Sequence, residues 1–324
     1  MRASAHTQPA GWALAAVLLA AAFAGCGSQS AGPVTKRGAR EAVRSASPAA
    51  VVPAQASVPP PPPPPPLVVT PTSRPGSAWR AVAQVRGRPA SWEAQRGGVT
   101  LLRFDQRSLR LDLHAGEGEP SGTWRYGPLI EPSEIHHLVA AFNGGFKFST
   151  GVVGWMSAGR VAEPLQRGRG SIVTYRDGTT AIGAWEEGVP AAGRPVYSVL
   201  QNLSLLVDGG RPAANAEGCI QSCWGSTVGN VDVVARSALG IRQDGQLVWA
   251  AGEQLTPIAL AQAMAGAGVS RAVQLDINPD WVAGYLYPHG RSGPSWSQVV
   301  PGQLGISGKF LAPYHRDFFA VVAR

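Results

Sequence analysis

Eight consecutive prolines at positions 59–66 constrain this chain more than any other feature of its sequence. Proline has a fixed φ and no backbone N–H, so such a run excludes helix and sheet and favours extended polyproline II. The run lies within a longer stretch of mostly Ala, Ser, Pro, Val and Gly, which cannot bury a core. The sequence therefore predicts a disordered tether over residues 26–77 and one folded domain over residues 78–324.

The first 25 residues have the pattern of an export signal. Arg2 supplies a positive start, and the apolar stretch at 12–24 is too short to span a bilayer. Small residues then precede Cys26, as in the processing site of bacterial lipoproteins, although Phe23 stands where that pattern favours Leu. We predict a lipoprotein signal peptide over residues 1–25, a lipidated Cys26 and a membrane-anchored, extracytoplasmic protein. The alternative is an ordinary signal peptide that is cleaved nearby.

The tether has two candidate uses. It can hold the folded domain away from the membrane, or its prolines can bind a proline-recognition domain. Those partner domains are mostly intracellular signalling modules, so a spacer is favoured in an exported protein.

Charge and hydropathy exclude two classes of protein. The formal net charge is +8, but the basic residues are mostly scattered Arg, and the one concentration, at 166–170, is short. We therefore predict no nucleic-acid partner. No unbroken apolar run reaches about 18 residues, which excludes a polytopic membrane protein. We expect a monomer without a cofactor.

Strand patterns dominate the predicted domain. Three hairpins are expected, from residues 99–104 with 108–114, 171–175 with 179–185, and 238–241 with 246–250. Thr256 and Pro257 predict the N-cap and first position of a helix. A short helix at 132–137 precedes an apolar strand at 138–142. The predicted class is α+β: a mixed, strand-rich sheet with hairpins, a few flanking helices and a late βαβ-like passage.

Asp276 is the first candidate for chemistry. Residues 271–276 alternate between apolar and polar side chains and predict a strand that Pro279 ends. Asp276 then lies at the strand's carboxyl end, beside a loop that carries Asn278 and Asp280, and ligands collect at such edges. The alternative is a carboxylate that caps the following turn.

Two further segments are candidates. Asn143, Gly144 and Gly145 follow an apolar strand, and paired glycines allow a backbone to approach a ligand closely. A hairpin turn explains Asn-Gly about as well. Arg236 begins the third hairpin, where a guanidinium could bind a phosphate, or it could be a solvated strand residue.

Cys219 and Cys223 predict a disulfide. In an oxidising, exported setting, a Cys-x3-Cys pair is first read as a small disulfide loop, and the spacing permits the required Cα separation. Metal binding is the alternative, but no His lies within twenty residues of the pair. His136 and His137 are adjacent, so their side chains point to different sides. We predict no metal site.

The order of these segments resembles the phosphodiester glycosidase family. The resemblance runs from Leu138 to Asp280: Asn-Gly-Gly-Phe at 143–146, Arg-Ser-Ala-Leu-Gly at 236–240 and Leu-Asp at 275–276. It implies a hydrolase in which Asp276, Arg236 and Asn143 act in catalysis. The family's Leu-Asp-Gly-Gly-Gly-Ser reads Leu-Asp-Ile-Asn-Pro-Asp here, so a backbone cradle for phosphate is lost.

We expect side chains to replace that cradle. We predict that the substrate is contacted by Gly144, Gly145, Asn278, Asp280 and Trp281. The Trp281 ring is expected to stack on a sugar. The predicted reaction is hydrolysis of a sugar-1-phosphodiester or related glycosidic bond of envelope glycans.

Two points stay open from the sequence. A second carboxylate is needed, and either Asp280 or Asp208 could supply it. The alternative function is a non-catalytic, carbohydrate-binding envelope protein on the same fold.

Overall fold

The structure is a computed structural model that describes residues 79–290 and 293–324. The predicted signal peptide, Cys26 and the tether lie outside the described residues, and these predictions stay open. Within those two ranges, no helix is long and apolar enough to cross a membrane.

Strands account for most of the regular structure. In chain order they begin with β1 (Arg80–Val85), β2 (Arg88–Arg96), β3 (Val99–Phe104), β4 (Leu109–His114), β5 (Leu138–Asn143), β6 (Gly154–Ser157) and β7 (Arg160–Glu163). They continue with β8 (Gly170–Tyr175), β9 (Thr180–Ala184), β10 (Val196–Gln201), β11 (Leu205–Asp208), β12 (Arg211–Pro212), β13 (Val234–Arg242) and β14 (Leu247–Leu255). The last are β15 (Val269–Gln274), β16 (Gly284–Leu286), β17 (His289–Gly290), β18 (Gly293–Pro294), β19 (Ser297–Gln298) and β20 (Phe318–Ala323).

The helices in the described part of the chain are short. They are α1 (Pro132–Ile135), α2 (Ile220–Trp224) and α3 (Pro257–Gly266). The predicted start of α3 is confirmed: Thr256 is its N-cap, and the Thr256 hydroxyl accepts a hydrogen bond from the Ala259 amide at 3.3 Å. Pro257 fits the first helical position because the N–H of that residue has no acceptor within a helix, so proline loses no hydrogen bond there.

Three antiparallel sheets form the fold. Sheet A has the order β1-β2-β3-β14-β13-β15-β11-β12, sheet B the order β19-β16-β5-β20-β4, and sheet C the order β7-β6-β10-β8-β9. A two-stranded ribbon of β17 and β18 completes the set.

The predicted α+β class is wrong, because the described residues form a β-rich fold. The strand-helix-strand passage β14-α3-β15 suggested parallel pairing. In the structure β13 lies between β14 and β15 and pairs antiparallel with both. The helix therefore crosses over an antiparallel sheet and adds no parallel ladder.

Two of the three predicted hairpins are confirmed. β8 pairs with β9, and β13 pairs with β14 across the Asp244-Gly245 turn. The hairpin of β3 with β4 is wrong, although both strands exist. β2 and β14 occupy the two edges of β3, so β4 pairs instead with β20 in sheet B.

Aromatic side chains pack sheets A and B together. The Phe142 ring on β5 lies 6.1 Å from Phe104 on β3 and 5.3 Å from Trp249 on β14, measured between ring centroids. Phe319 on β20 lies 5.6 Å from the same ring. All four side chains are almost fully buried, so they fix the end of β5, where the Asn-Gly-Gly segment begins.

Candidate functional site

Sheets A and B meet at a polar junction. Asn143 ends β5 opposite Phe318, the first residue of β20. The Asn143 side-chain amide donates to the Ser237 hydroxyl on β13 at 2.9 Å, and the Ser237 amide donates to the Asp276 carbonyl at 3.0 Å. The end of β5, the start of β20 and the segment after β15 are thereby brought to one place.

A cleft of ≈ 460 Å³ opens at this junction. Its charged and polar walls include Lys147, Asp276, Asn278 and Arg316, with Gln221 and Ser222 from α2. Phe146, Val152, Leu203 and Ile277 supply apolar surface. An apolar cleft with a few convergent polar groups is the usual form of a small-molecule site.

Asp276 is buried at the cleft wall, with only 6% of its surface exposed. Its Oδ1 accepts hydrogen bonds from the amides of Ile277 at 2.7 Å and Asn278 at 2.9 Å. Its Oδ2 lies 3.7 Å from Nη2 of Arg316. Burial raises the pKa of this carboxyl, while Arg316, the two amides and Lys147 oppose the rise. One oxygen is therefore held by the backbone and the other faces a cation.

Two cations lie near that carboxyl. Arg316 is 3% exposed at its side chain and donates from Nη2 to the Gly145 carbonyl at 2.7 Å. Its Nε lies 3.1 Å from Oε2 of Glu119. Lys147 is exposed, and both cations lie over the Trp281 ring, at 4.2 Å for the Arg316 guanidinium carbon and 5.0 Å for Lys147 Nζ. The ring thus helps to position the positive charge of the cleft.

The structure brings several predicted site residues together. Asp276 and Asn278 line the cleft, and Asn143 supports Asp276 through Ser237. Gly145 contributes its carbonyl to Arg316. Gly144 lies in a tight place, because a Cβ there would come 2.5 Å from the Asp317 carboxyl carbon. Gly144 therefore accommodates a neighbouring carboxyl of the protein.

Arg236 lies elsewhere. It is fully buried on β13, and its guanidinium donates to the carbonyls of Leu255, Trp224 and Asp232 at 2.9–3.2 Å and to Gln274 Oε1 at 3.1 Å. Burial lowers its pKa to about 10. Because these bonds engage the guanidinium with the protein itself, we do not assign Arg236 to ligand binding. Its role is to join α2 to sheet A.

The predicted loop residues also separate. Asp280 is exposed and its amide donates to the Asn278 side chain at 2.9 Å, while its carboxyl lies outside the cleft wall. Trp281 is not among the residues that line the cleft. Its ring instead contacts Lys147 and Arg316. Asp208 is exposed and pairs with Arg271 at 3.2 Å. Neither candidate for the second carboxylate lies at the cleft.

The residues that sequence reasoning missed are Lys147, Arg316 and Asp317. Lys147 directly follows the Asn-Gly-Gly-Phe segment, so that motif could have indicated Lys147 as a site residue. Arg316 and Asp317 are consecutive charged residues directly before the apolar strand β20, whereas Asp276 was singled out because it follows a strand.

The predicted disulfide between Cys219 and Cys223 is present, with a Cα–Cα distance of 5.4 Å. It links the N-cap residue of α2 to a residue within that helix. In the same helix Gln221 and Ser222 line the cleft, and Trp224 is buried. The disulfide therefore secures one wall of the site.

Replacing both cysteines with Ser should lower the free energy of unfolding by about 2 kcal/mol, because so short a loop contributes little chain entropy. Urea unfolding of the wild type and the Cys219→Ser/Cys223→Ser variant measures this. Free thiols titrated at these positions in denatured, unreduced protein would contradict the disulfide.

The described residues also form a second cavity, away from Asp276 and Arg316. This cavity, of ≈ 350 Å³, is lined by Ile182, Val189, Gly209 and Arg271 among others. Across residues 79–290 and 293–324, no group of three or more His, Cys, Asp or Glu side chains is arranged to hold a metal ion.

Comparisons with known proteins include distant likenesses to solved structures. No family profile matches the chain, and no curated protein matches it. Among solved structures, it is similar to the catalytic domain of zebrafish N-acetylglucosamine-1-phosphodiester alpha-N-acetylglucosaminidase, auto-inhibited by its pro-peptide. The identity is 16% over 76% of this chain and 87% of that chain, with a TM-score of 0.46.

Two bacterial structures are also similar. A protein from Synechocystis is 15% identical over 76% of this chain and 62% of that chain, with a TM-score of 0.38. A protein described as exported, from Burkholderia pseudomallei K96243, is 12% identical over 73% of this chain and 75% of that chain, with a TM-score of 0.33. Overlaps of this size decide no function.

Proposed function

We propose that the cleft binds a sugar phosphodiester and that the protein hydrolyses its glycosidic bond. The observation that carries this proposal is the shared wall of Asp276, Lys147 and Arg316: one buried carboxyl beside two cations. Both cations can bind phosphate oxygens. The planar guanidinium of Arg can donate two parallel hydrogen bonds to them. The motif order at 143–146, 236–240 and 275–276 resembles phosphodiester glycosidases and supports the same substrate class.

The chemistry assigns one role to each group. Water adds to the anomeric carbon, and the phosphate monoester leaves with the electron pair of the broken C–O bond. Lys147 and Arg316 stabilise the negative charge on that leaving group. The Oδ2 of Asp276 accepts the proton from water, and a pKa raised by burial makes it a stronger base than an exposed carboxylate.

A direct assay tests the proposal. The mature protein is incubated with phosphodiesters of N-acetylglucosamine and with envelope glycan fragments, and released reducing sugar is measured. Lys147→Gln should raise KM about tenfold through loss of one charge-assisted contact. Lys309→Gln is the matched control, because Lys309 also lies over a Trp ring, at 4.4 Å from Trp296, but outside the cleft wall. No sugar release and no binding by the wild type would reject the proposal.

One observation favours a second function, the binding of envelope carbohydrate without catalysis. Asp276 Oδ1 accepts both amides of the following turn, which is the arrangement expected of a structural turn cap. Saturable binding of the same phosphodiesters without turnover would select this alternative.

Localisation is a separate proposal. We infer from the apolar stretch before Cys26 that the protein is exported and anchored by a lipid on that residue. A Cys26→Ser change, or treatment with globomycin, should leave unprocessed precursor. Unchanged processing and membrane fractionation would contradict the lipid anchor.

A further inference from the structure

The Arg316 guanidinium lies close to three oxygen atoms of the protein, one carbonyl and two carboxylate oxygens. Its Nη2 donates to the Gly145 carbonyl at 2.7 Å and lies 3.7 Å from Asp276 Oδ2, and its Nε lies 3.1 Å from Glu119 Oε2. The residue is buried yet lines the cleft. A ligand anion in the cleft must therefore share this guanidinium with carboxylates of the protein.

Asp317 adds a second buried carboxyl, next to Arg316 in the chain and near enough for the Arg316 charge to favour its ionised form. It is 1% exposed, and its carboxyl packs against Gly144, where a Cβ would come 2.5 Å from its Oδ1. Within the described residues neither oxygen makes a hydrogen bond of ordinary geometry, although the Gly145 amide lies beside the carboxyl and favours its charged form. A carboxyl in such a position carries charge at a high cost in free energy.

The charges that face Asp317 come from several segments. Arg316 stabilises its ionised form, while Asp276 and Glu119 oppose it. Tyr314 lies near both aspartates, and burial raises the pKa of its phenol, so it stays neutral. Burial is the largest effect on Asp317 and raises its pKa to about 7. Its charge state therefore changes in the neutral pH range.

We infer that Asp317 is a positioning residue for anion binding: when protonated it leaves the Arg316 charge to the cleft, and when ionised it competes with the bound anion for that charge. This inference rests on the proposed function, because it concerns the phosphodiester that the cleft binds. Binding of an anion must then favour the protonated form of Asp317, so the protein takes up protons when the ligand binds.

Calorimetry measures that linkage in the mature protein. The probe is the methyl ester of a methylenephosphonate analogue of N-acetylglucosamine 1-phosphate, which has one charge, resists hydrolysis and does not titrate between about pH 5 and pH 9. Titrations in buffers of different ionisation enthalpy give the number of protons taken up. We expect roughly half a proton at pH 7, where about half of Asp317 is already protonated.

The Asp317→Asn variant provides the decisive comparison, because Asn imitates the neutral form. Wild-type affinity should fall several-fold between pH 6 and pH 8, whereas the variant should keep the same affinity across that range and take up no proton. Asp112→Asn is the control: Asp112 is also a buried carboxyl of raised pKa, but it pairs with Arg110 outside the cleft wall. This control should retain the wild-type pH dependence.

The failures of the two proposals are distinguishable. Binding by the wild type with the same pH dependence in Asp317→Asn would overturn this inference alone. No binding of the probe at any pH would overturn the proposed function and this inference together. Loss of binding in folded Asp317→Asn at pH 6 would also overturn the inference, because the neutral side chain should support binding.

Discussion

Asp276→Asn should lower the turnover of a sugar phosphodiester by at least about a hundredfold, the usual contribution of a general acid or base. The substitution keeps an oxygen that can accept the amides of Ile277 and Asn278, which lie 2.7 and 2.9 Å from Oδ1. It removes the charge that faces Arg316 and the basic oxygen that accepts the proton. The thermal midpoint should therefore change little while kcat falls, and parallel activity and melting measurements test both statements.

Asp244→Asn is the matched control for this experiment. Asp244 also accepts an amide two residues along the chain, from Gln246 at 3.1 Å, but it lies in the exposed hairpin turn between β13 and β14. Its substitution should leave turnover unchanged. If Asp276→Asn unfolds while its residual folded fraction keeps full turnover, Asp276 is a structural turn cap and not the base of the reaction.

Local features of this fold could be predicted from the sequence. The β8–β9 and β13–β14 hairpins and the start of α3 depend on residues that are adjacent in the chain, so turn and cap preferences suffice. The position of Asp276 directly after β15 follows from the same kind of pattern. The disulfide was predictable because its two cysteines are four positions apart.

Sheet order depends on contacts that no local pattern contains. β3 and β4 are consecutive, yet they belong to different sheets because distant β14 and β20 compete for their edges. The expected α+β class failed for the same reason, since β13 separates β14 from β15.

Side-chain roles at the site were equally dependent on distant contacts. Arg236 has the charge that a phosphate site needs, but four polar groups of the protein surround it in the core. Arg316 reaches the Gly145 carbonyl across 171 positions. Only the tertiary structure distinguishes the Arg that faces the cleft from the Arg that is enclosed.

Replacing Asp317 with Asn should change how stability depends on pH, with or without ligand. Burial raises the folded-state pKa of Asp317 to about 7, while an unfolded Asp titrates near its ordinary value of about 3.9. Between these two values the folded protein binds more protons than the unfolded chain, so the free energy of unfolding falls as pH rises. The shift of about three units corresponds to about 4 kcal/mol lost between about pH 4 and pH 8.

Asn at position 317 cannot ionise, so this loss should disappear in the variant. The difference in thermal midpoint between Asp317→Asn and the wild type should therefore widen by roughly 10 °C in favour of the variant as pH rises from about 4 to about 8. If the Asn amide changes stability by an amount that does not depend on pH, it shifts the midpoint equally at both ends of the pH range. The widening of the difference is then unaffected. Thermal melts at closely spaced pH values give the comparison.

Asp177→Asn provides a control of opposite sign. Asp177 is exposed, and hydrogen bonds from Thr179 lower its pKa to about 2. Its contribution to stability is present above the unfolded value and is lost only as pH falls toward 2, so this variant should run parallel to the wild type between about pH 5 and pH 8. A wild-type midpoint that runs parallel to that of Asp317→Asn over the same interval would show that Asp317 keeps one charge state throughout. A buried carboxyl of constant charge could not make anion binding at Arg316 depend on pH, and the role inferred for Asp317 would be wrong.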